Sequence, residues 1–348
     1  MTTTRSAADA RAPAESTGIL VIGAGPCGLA VGVAAREAGV PCVLVDRGPV
    51  VSSIERYPIQ MTFFSTAENL ELGGVPFVVE REKPTRAEAL TYYRRIVTHF
   101  GLDVRQYEEV VGLERSGGGF RVRARGRAGE VRDYLAAGVA VATGYFDTPN
   151  LLGVPGEDLP KVTHYFREPH RYFGQDVLVV GGGNSAVEAA LATWRVGARV
   201  TLVHLFEGFD RGVKPWVLPD IRNRIEAGEI AALWRARVSE IEPGRARIED
   251  VEGCDGRWIR NDFVLAMTGF RPDPRLLLGL GVPVDDATGV PAHDPETMET
   301  PVRGVFLAGV LAAGLDANRI FIENGRTHGS RIVRAMAPRL VDGVGTPG

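Results

Sequence analysis

Apolar residues in this chain come in short uncharged blocks that alternate with clusters of glycine. Residues 18–22 (GILVI) predict a buried strand, residues 23–28 a glycine-rich turn and residues 29–38 a helix, followed by a second strand at 42–45 that ends on Asp46. The same order returns further on. Residues 176–180 form an apolar block, 181–186 a glycine-rich turn, 187–195 a helical stretch, and 199–203 a strand that ends on His204. The distance from the first glycine to the strand-end residue is 23 residues in both copies, so one supersecondary unit is used twice.

Each unit is closed by a further apolar block. Residues 139–144 and 263–269 end on Thr143-Gly144 and Thr268-Gly269, small residues that let a strand end pass a bound nucleotide. A last block at 304–309 ends on Gly309 and leads into a helix expected over 320–335. Alternating Phe120, Val122 and Ala124 beside the glycines at 117–119 predict a polar hairpin over 115–131. Because the last strand and helix follow a completed second unit, the first domain reads as discontinuous, residues 18–155 plus 286–348, with a second domain inserted at 156–285. The segments 149–160 and 271–291, rich in Pro, Gly and Asp, mark the crossings. Residues 1–17 are polar without periodicity and are expected to form a disordered arm. The fold class is α/β, with two nested Rossmann-like dinucleotide-binding domains.

The turns carry the chemistry. A lone G-x-G-x-x-G is weak evidence, but one placed between a strand and a helix, with an acidic residue about 20 positions on, is a dinucleotide fingerprint. Gly23 permits the tight turn, Gly25 lets the backbone approach a pyrophosphate, and Gly28 brings helix and strand together. Pro26 and Cys27 occupy the first helical turn, whose N–H groups favour phosphate. Asp46 is placed to bond the adenosine ribose. In the second copy Gly181, Gly183, Asn184, Ser185 and Ala186 hold the same places, and His204 replaces the acidic residue. A carboxylate there would select against NADP, so its absence favours NADPH over NADH. Leu205 follows where an arginine would clamp the 2′-phosphate; Arg211 and Lys214 lie a few residues downstream as substitutes.

Composition narrows the field. The 348 residues are 45% hydrophobic and 24% charged, an ordinary globular balance, and the formal charge of -3 gives nucleic acid or anionic lipid nothing to hold. The uncharged run at 18–35 is long enough to be weighed as a membrane span. Its five glycines and Pro26, between Glu15 and Glu37, favour a buried strand-turn-helix instead. Cys27, Cys42 and Cys254 form no C-x-x-C pair and no disulfide framework, which fits a reducing cytoplasm. His99, His170, His293 and His328 have no ligand spacing, so no metal is expected.

Several phrases together resemble one family. They are GPCG at 25–28, YPIQMTFFSTAENLELGGVPF at 57–77, KPTR at 83–86, GNSAVE at 183–188, KPWVLPDI at 214–221 and FIENG at 321–325. The chain resembles the bacillithiol disulfide reductase family, thioredoxin-reductase-like flavoproteins without the C-x-x-C pair. The resemblance implies FAD in the first unit, NADPH in the second, a small-molecule disulfide as substrate, a cytoplasmic homodimer, and Cys27 as a redox-active cysteine. It also implies Phe64, Ser65, Val110, Ile322 and Asn324 as cofactor neighbours, with the helix starting near Ile320 aimed at the flavin. Thioredoxin reductases carry an aspartate after the glycine at 309, whereas Val310 stands here. A ferredoxin or flavodoxin reductase is the main rival reading, and a flavin monooxygenase or a redox sensor a weaker one. The monooxygenase linker F-x-G-x-x-x-H fails, since Asp158 and Pro160 precede His164 at those places.

Overall fold

Strand β1 (Glu15–Ile22) is buried from Gly18 onward and leads through the first glycine turn into α1 (Pro26–Glu37) and β2 (Cys42–Asp46). The computed structural model describes residues 13–316 and 318–342. The short α2 (Ser52–Arg56) and the longer α3 (Arg86–Phe100) precede β3 (Asp103–Gln106). Three strands then run as an antiparallel meander: β4 (Glu109–Ser116), β5 (Gly119–Arg125) and β6 (Val131–Val141). The 11-residue β6 joins the antiparallel strands to the parallel part of one sheet. Residues 131–136 pair antiparallel with β5, and residues 134–141 run parallel to β1, from Glu15 opposite Tyr134 to Ile22 opposite Val141.

Unit two begins with β7 (Val162–Thr163) and β8 (Asp176–Val180), then α4 (Asn184–Arg195), β9 (Arg199–Val203), α5 (Leu218–Glu226) and β10 (Ile230–Leu233). An antiparallel trio follows, β11 (Ala236–Glu242), β12 (Arg245–Asp250) and β13 (Arg257–Arg260), before β14 (Phe263–Ala266). The parallel sheet has the order β10-β9-β8-β14-β7. Alternation along β8 decides what covers each face: Val177 and Val179 pack with α4 and α5 residues such as Val187, Leu191 and Ile221. Leu178 and Val180 instead meet Val238, Ile241, Ala246 and Ile248 of the antiparallel trio.

The chain then returns to unit one through α6 (Arg275–Gly279), β15 (Val305–Leu307), α7 (Ile322–Gly325) and α8 (His328–Asp342). β15 pairs with the end of β6, completing a seven-stranded sheet whose main path is β3-β2-β1-β6-β5-β4. Close approaches at two glycines lock α8 to α1 and α1 to this sheet. A Cβ on Gly329 of α8 would run into Ala30 O of α1, and one on Gly32 would lie 2.9 Å from Leu44 Cδ1.

Three expectations change. The arm expected through residue 17 is a strand from Glu15, held by Arg105 Nη2 at 2.7 Å from Glu15 Oε1; residues 1–12 lie outside the described residues. The helix expected over 320–335 is two helices, because Thr327 Oγ1 donates to Asn324 O at 2.8 Å and Arg326 reaches Glu68 O and Glu71 O. The two units change over at residues 145/146 and 271/272, earlier than the expected 155/156 and 285/286, and residues 56–61 cluster with the second. The hairpin around 117–119 forms as β4 and β5, continuous with the large sheet.

Candidate functional site

The two glycine turns are built on one steric template. Gly23 has φ 111°, and a Cβ there would strike Ala142 O at the end of β6; Gly181 has φ 131°, and a Cβ there would strike Met267 O after β14. Both positions therefore require glycine. Gly28 backs onto Gly23 O, which draws α1 against the turn, and Ala186 fills the matching place in unit two.

In unit one the cradle stands open. No atom lies within 4 Å of the place a Cβ on Gly25 would take, and α1 starts at Pro26 with Gly25 as its N-cap and no side-chain cap. Asp46, buried at the end of β2, accepts from Ala24 N and Gly48 N, both at 2.7 Å. Those two bonds set the loop and fix the carboxylate beside it. The backbone of Asp46 also receives Glu108 N at 2.9 Å, which brings the start of β4, and Val110 on it, to this end of the sheet. Thr143 Oγ1 is buried with no hydrogen-bond partner, next to Gly144 at φ 69°. An open glycine face, an uncapped helix start and an orphaned hydroxyl at the strand end fit an adenine dinucleotide. Phe64 and Ser65 lie on the segment that pairs with residues 82–85 through Phe63 N to Pro84 O and Ala67 N to Glu82 O.

Cys27, which the resemblance implies as redox-active, is closely packed. A Cβ on Gly309 or on Gly325 would come within 2.9 Å or 2.8 Å of its sulfur, so the thiol is packed between the end of β15 and α7. The residue keeps some solvent contact, yet desolvation of the sulfur pushes the thiol up to about 12. Burial outweighs the helix N-terminus in which it sits, and the raised value leaves it mostly as the thiol at neutral pH. Gly309, at φ 77°, donates its N–H to His328 Nδ1 at 3.2 Å. His328 is held neutral there, lowered to about 4 by burial and by the neighbouring charge of Arg331. Nothing in the sequence spacing joins Cys27, Gly309, Gly325 and His328.

The helix expected to aim at the flavin is only the four-residue α7. Asn324 Oδ1 accepts from Phe321 N at 2.7 Å and its Nδ2 donates to Arg319 O at 2.8 Å, so its amide serves the turn itself; Ile322 opens that turn, half-buried.

Unit two repeats the cradle with different side chains. His204, at the end of β9, is buried with its ring against Gly182; a Cβ at 182 would strike the imidazole, which explains glycine where unit one has Ala24. Asn184 Nδ2 donates to Gly212 O and its Oδ1 accepts from Lys214 N, both at 2.9 Å, tying the 212–214 loop to the start of α4. Arg211 and Ser185 are exposed beside this knot and Lys214 is half-buried. Thr268 Oγ1 donates to Asn150 O at 2.5 Å, and Asn150 N donates to Gly269 O at 3.0 Å. Thr268 and Gly269 thus hold the chain crossing next to the cradle. Burial raises the Glu188 carboxyl one turn into α4.

Among the described residues no helix is long and apolar enough to cross a membrane, and no group of three acidic, His or Cys side chains could hold a metal. The model of the pyridine nucleotide-disulphide oxidoreductase family matches residues 20–309. The bacilliredoxin reductase of Bacillus subtilis is 43% identical over 320 residues, 92% of this chain and 97% of its own. The bacillithiol disulfide reductase structure from Bacillus cereus matches with a TM-score of 0.91 at 42% identity, over 93% of this chain and 100% of that one. A thioredoxin reductase from T. acidophilum shares the fold, with a TM-score of 0.73 at 20% identity over 94% of this chain and 99% of that one. The chain belongs to the bacillithiol disulfide reductase family of pyridine nucleotide-disulphide oxidoreductases, FAD- and NADPH-dependent enzymes on a thioredoxin-reductase-like fold.

Proposed function

We propose that this protein reduces bacillithiol disulfide at the expense of NADPH, with FAD in unit one and the nicotinamide nucleotide in unit two. The observation that carries the reading is the doubled cradle, Gly23 over Ala142 O and Gly181 over Met267 O, in a chain whose relatives are named for bacillithiol disulfide and bacilliredoxin. When bound, the two cofactors supply the redox chemistry: a hydride from NADPH and one solvent proton convert RSSR to two RSH.

The chain's own residues bind and orient. Gly25 and the start of α1 receive the FAD phosphates, and Asp46, fixed by bonds from Ala24 N and Gly48 N, is placed to accept the ribose hydroxyls. Thr143 Oγ1 gains a partner on binding. Gly309, anchored by His328, and Gly325 form the wall around Cys27, which acts in packing rather than as a nucleophile. Gly183 and the start of α4 take the nicotinamide nucleotide, with Arg211 and Lys214 as its cationic neighbours. We further propose a cytoplasmic homodimer; the three free cysteines support a reducing compartment.

The test is anaerobic titration of the yellow holoprotein with NADPH, followed by reoxidation with bacillithiol disulfide, ferredoxin, quinone or oxygen. Fastest reoxidation by the disulfide is expected, at the parent rate in Cys27→Ala. A protein that stays colourless and inactive with added FAD, or one that ferredoxin reoxidises tenfold faster, overturns the reading. A hundredfold loss of disulfide turnover in a Cys27→Ala variant that keeps FAD would restore the covalent role.

A further inference from the structure

The two cradles differ at one point that bears on nucleotide affinity. Around Gly25 the face that a phosphate must approach is empty to 4 Å, but at the equivalent Gly183 the carboxylate of Asp210 stands 3.2 Å from where a Cβ would be. The Asp210 main chain holds it there: its N–H donates to Gly182 O at 3.1 Å, and its carbonyl accepts from Val213 N at 3.1 Å. The other carboxylate oxygen lies 3.3 Å from His204 Nε2. That contact is within ion-pair range but outside hydrogen-bond geometry, so the buried His204 Nε2 has no hydrogen-bond partner. A ring nitrogen more than nine-tenths buried and unbonded beside a glycine cradle is a group waiting for a ligand atom.

We infer that Asp210 is an anionic latch on the nucleotide cradle, a carboxylate resting where the nucleotide's phosphate must come and setting both its affinity and its preference for NADPH or NADH. The inference rests on unit two being the nicotinamide-nucleotide site. The missing Cβ of the second glycine in this fingerprint exists to admit pyrophosphate, and a carboxylate in the same space repels it. The Asp210 side chain is 46% exposed, so it can rotate into solvent while its backbone bonds to Gly182 and Val213 persist. Rotation frees the face of Gly183 and leaves His204 Nε2 to bond the incoming nucleotide. An acidic residue at this end of the cradle also disfavours a 2′-phosphate, so Asp210 restores in space the acid that His204 removes in sequence.

The experiment is calorimetric binding of NADP⁺ and NAD⁺ to the FAD-loaded full chain, for the parent, Asp210→Asn and Asp210→Ala, at about 20 mM and 500 mM salt. Neither ligand is turned over, so the readout is independent of disulfide reduction. We expect both variants to bind NADP⁺ at least about fivefold more tightly at low salt, NAD⁺ to gain less, and the gain to shrink at high salt as charge is screened. Flavin absorbance and melting temperature close to the parent's certify folding. An unchanged or raised Kd for NADP⁺ in both variants overturns the latch while leaving the reductase reading intact. Failure of the parent and both variants to bind either nucleotide overturns both.

Discussion

Cys27 shows how far single residues can be read without their neighbours. Its place one residue into α1 is legible from the glycine spacing, because Gly23, Gly28 and the strand before them constrain one another within a few residues. The walls of its pocket, Gly309 and Gly325, lie almost 300 positions away, and no local pattern announces them. The same is true of His204, whose ring lies against Gly182, and of Asp210, which reaches the cradle through a loop turn. Burial pushes both Cys27 and Cys42 up to about 12, with Asp103 adding to the effect at Cys42, whereas Cys254 is exposed. Alkylation of the native protein at pH 7.5 should therefore mark Cys254 first, since thiolate at the other two is on the order of one part in ten thousand or less. Mass spectrometry reads the order, and labelling of Cys27 at the pace of Cys254 would contradict its enclosure. Overpacking offers a second check. Gly325→Ala sets a methyl 2.8 Å from the Cys27 sulfur and should destabilise the protein by about 1–3 kcal/mol. Adding Cys27→Ala should return most of that loss in denaturant unfolding. Independent, additive effects would place the strain elsewhere, at Ile320 or the backbone of Gly309.

Elements were legible where one periodicity ran unbroken and lost where a distant side chain cut it. The repeated strands and α4 follow their apolar blocks closely. The single helix expected over 320–335 divides because Arg326 is drawn to the carbonyls of Glu68 and Glu71, an interaction that helical periodicity cannot reveal. Alternation shows in Ala246 and Ile248 of β12, but along β11 a register shift between Val238 and Glu240 breaks it, and the face of the trio is completed only against β8. α3 carries a complete start signal in Thr85 and Glu88: Glu88 N donates to Thr85 Oγ1, and Glu88 Oε2 accepts from Thr85 N at 2.7 Å. Thr85→Ala should cost about 1 kcal/mol of stability at neutral pH. Glu88 is held below the ordinary carboxylate range by its bonds from the Thr85 backbone and hydroxyl. A carboxyl whose folded value is depressed lends stability that is complete above the unfolded value and fades as pH falls through the folded one. The gap between parent and Thr85→Ala should thus narrow below about pH 4 in denaturant unfolding. A gap that stays constant down to pH 3 would show that the hydroxyl caps the helix without help from the carboxylate.

At the scale of the whole chain, nesting was legible because the same 23-residue unit occurs twice and a strand and helix are left over at the end. The crossing points were less so. Pro, Gly and Asp mark flexible composition, but residues 148–150 and 269–271 are paired with each other, Arg271 N to Thr148 O at 2.9 Å and Asn150 N to Gly269 O at 3.0 Å. That pairing assigns both crossings to unit two and moves the changeover towards β6 and β14. It also makes the insertion removable. Because Thr148 and Arg271 are hydrogen-bond neighbours, two or three glycines can join residue 148 directly to residue 271 without straining β6 or β15. Every strand of the seven-stranded sheet, the Gly25 face, Asp46, Thr143 and the Gly309 turn lie outside the excised segment. The shortened chain should keep its helical and sheet signature by circular dichroism and bind FAD, seen as a yellow protein with flavin absorbance after desalting. It should have lost NADP⁺ binding, and NADPH should no longer bleach it. The excised segment, expressed alone, contains its own five-stranded sheet with cores on both faces and should bind NADP⁺ without flavin. A shortened chain that is folded yet retains no FAD would show that the first cradle depends on the inserted unit, and that the two nucleotide sites are not separable as the sheets are.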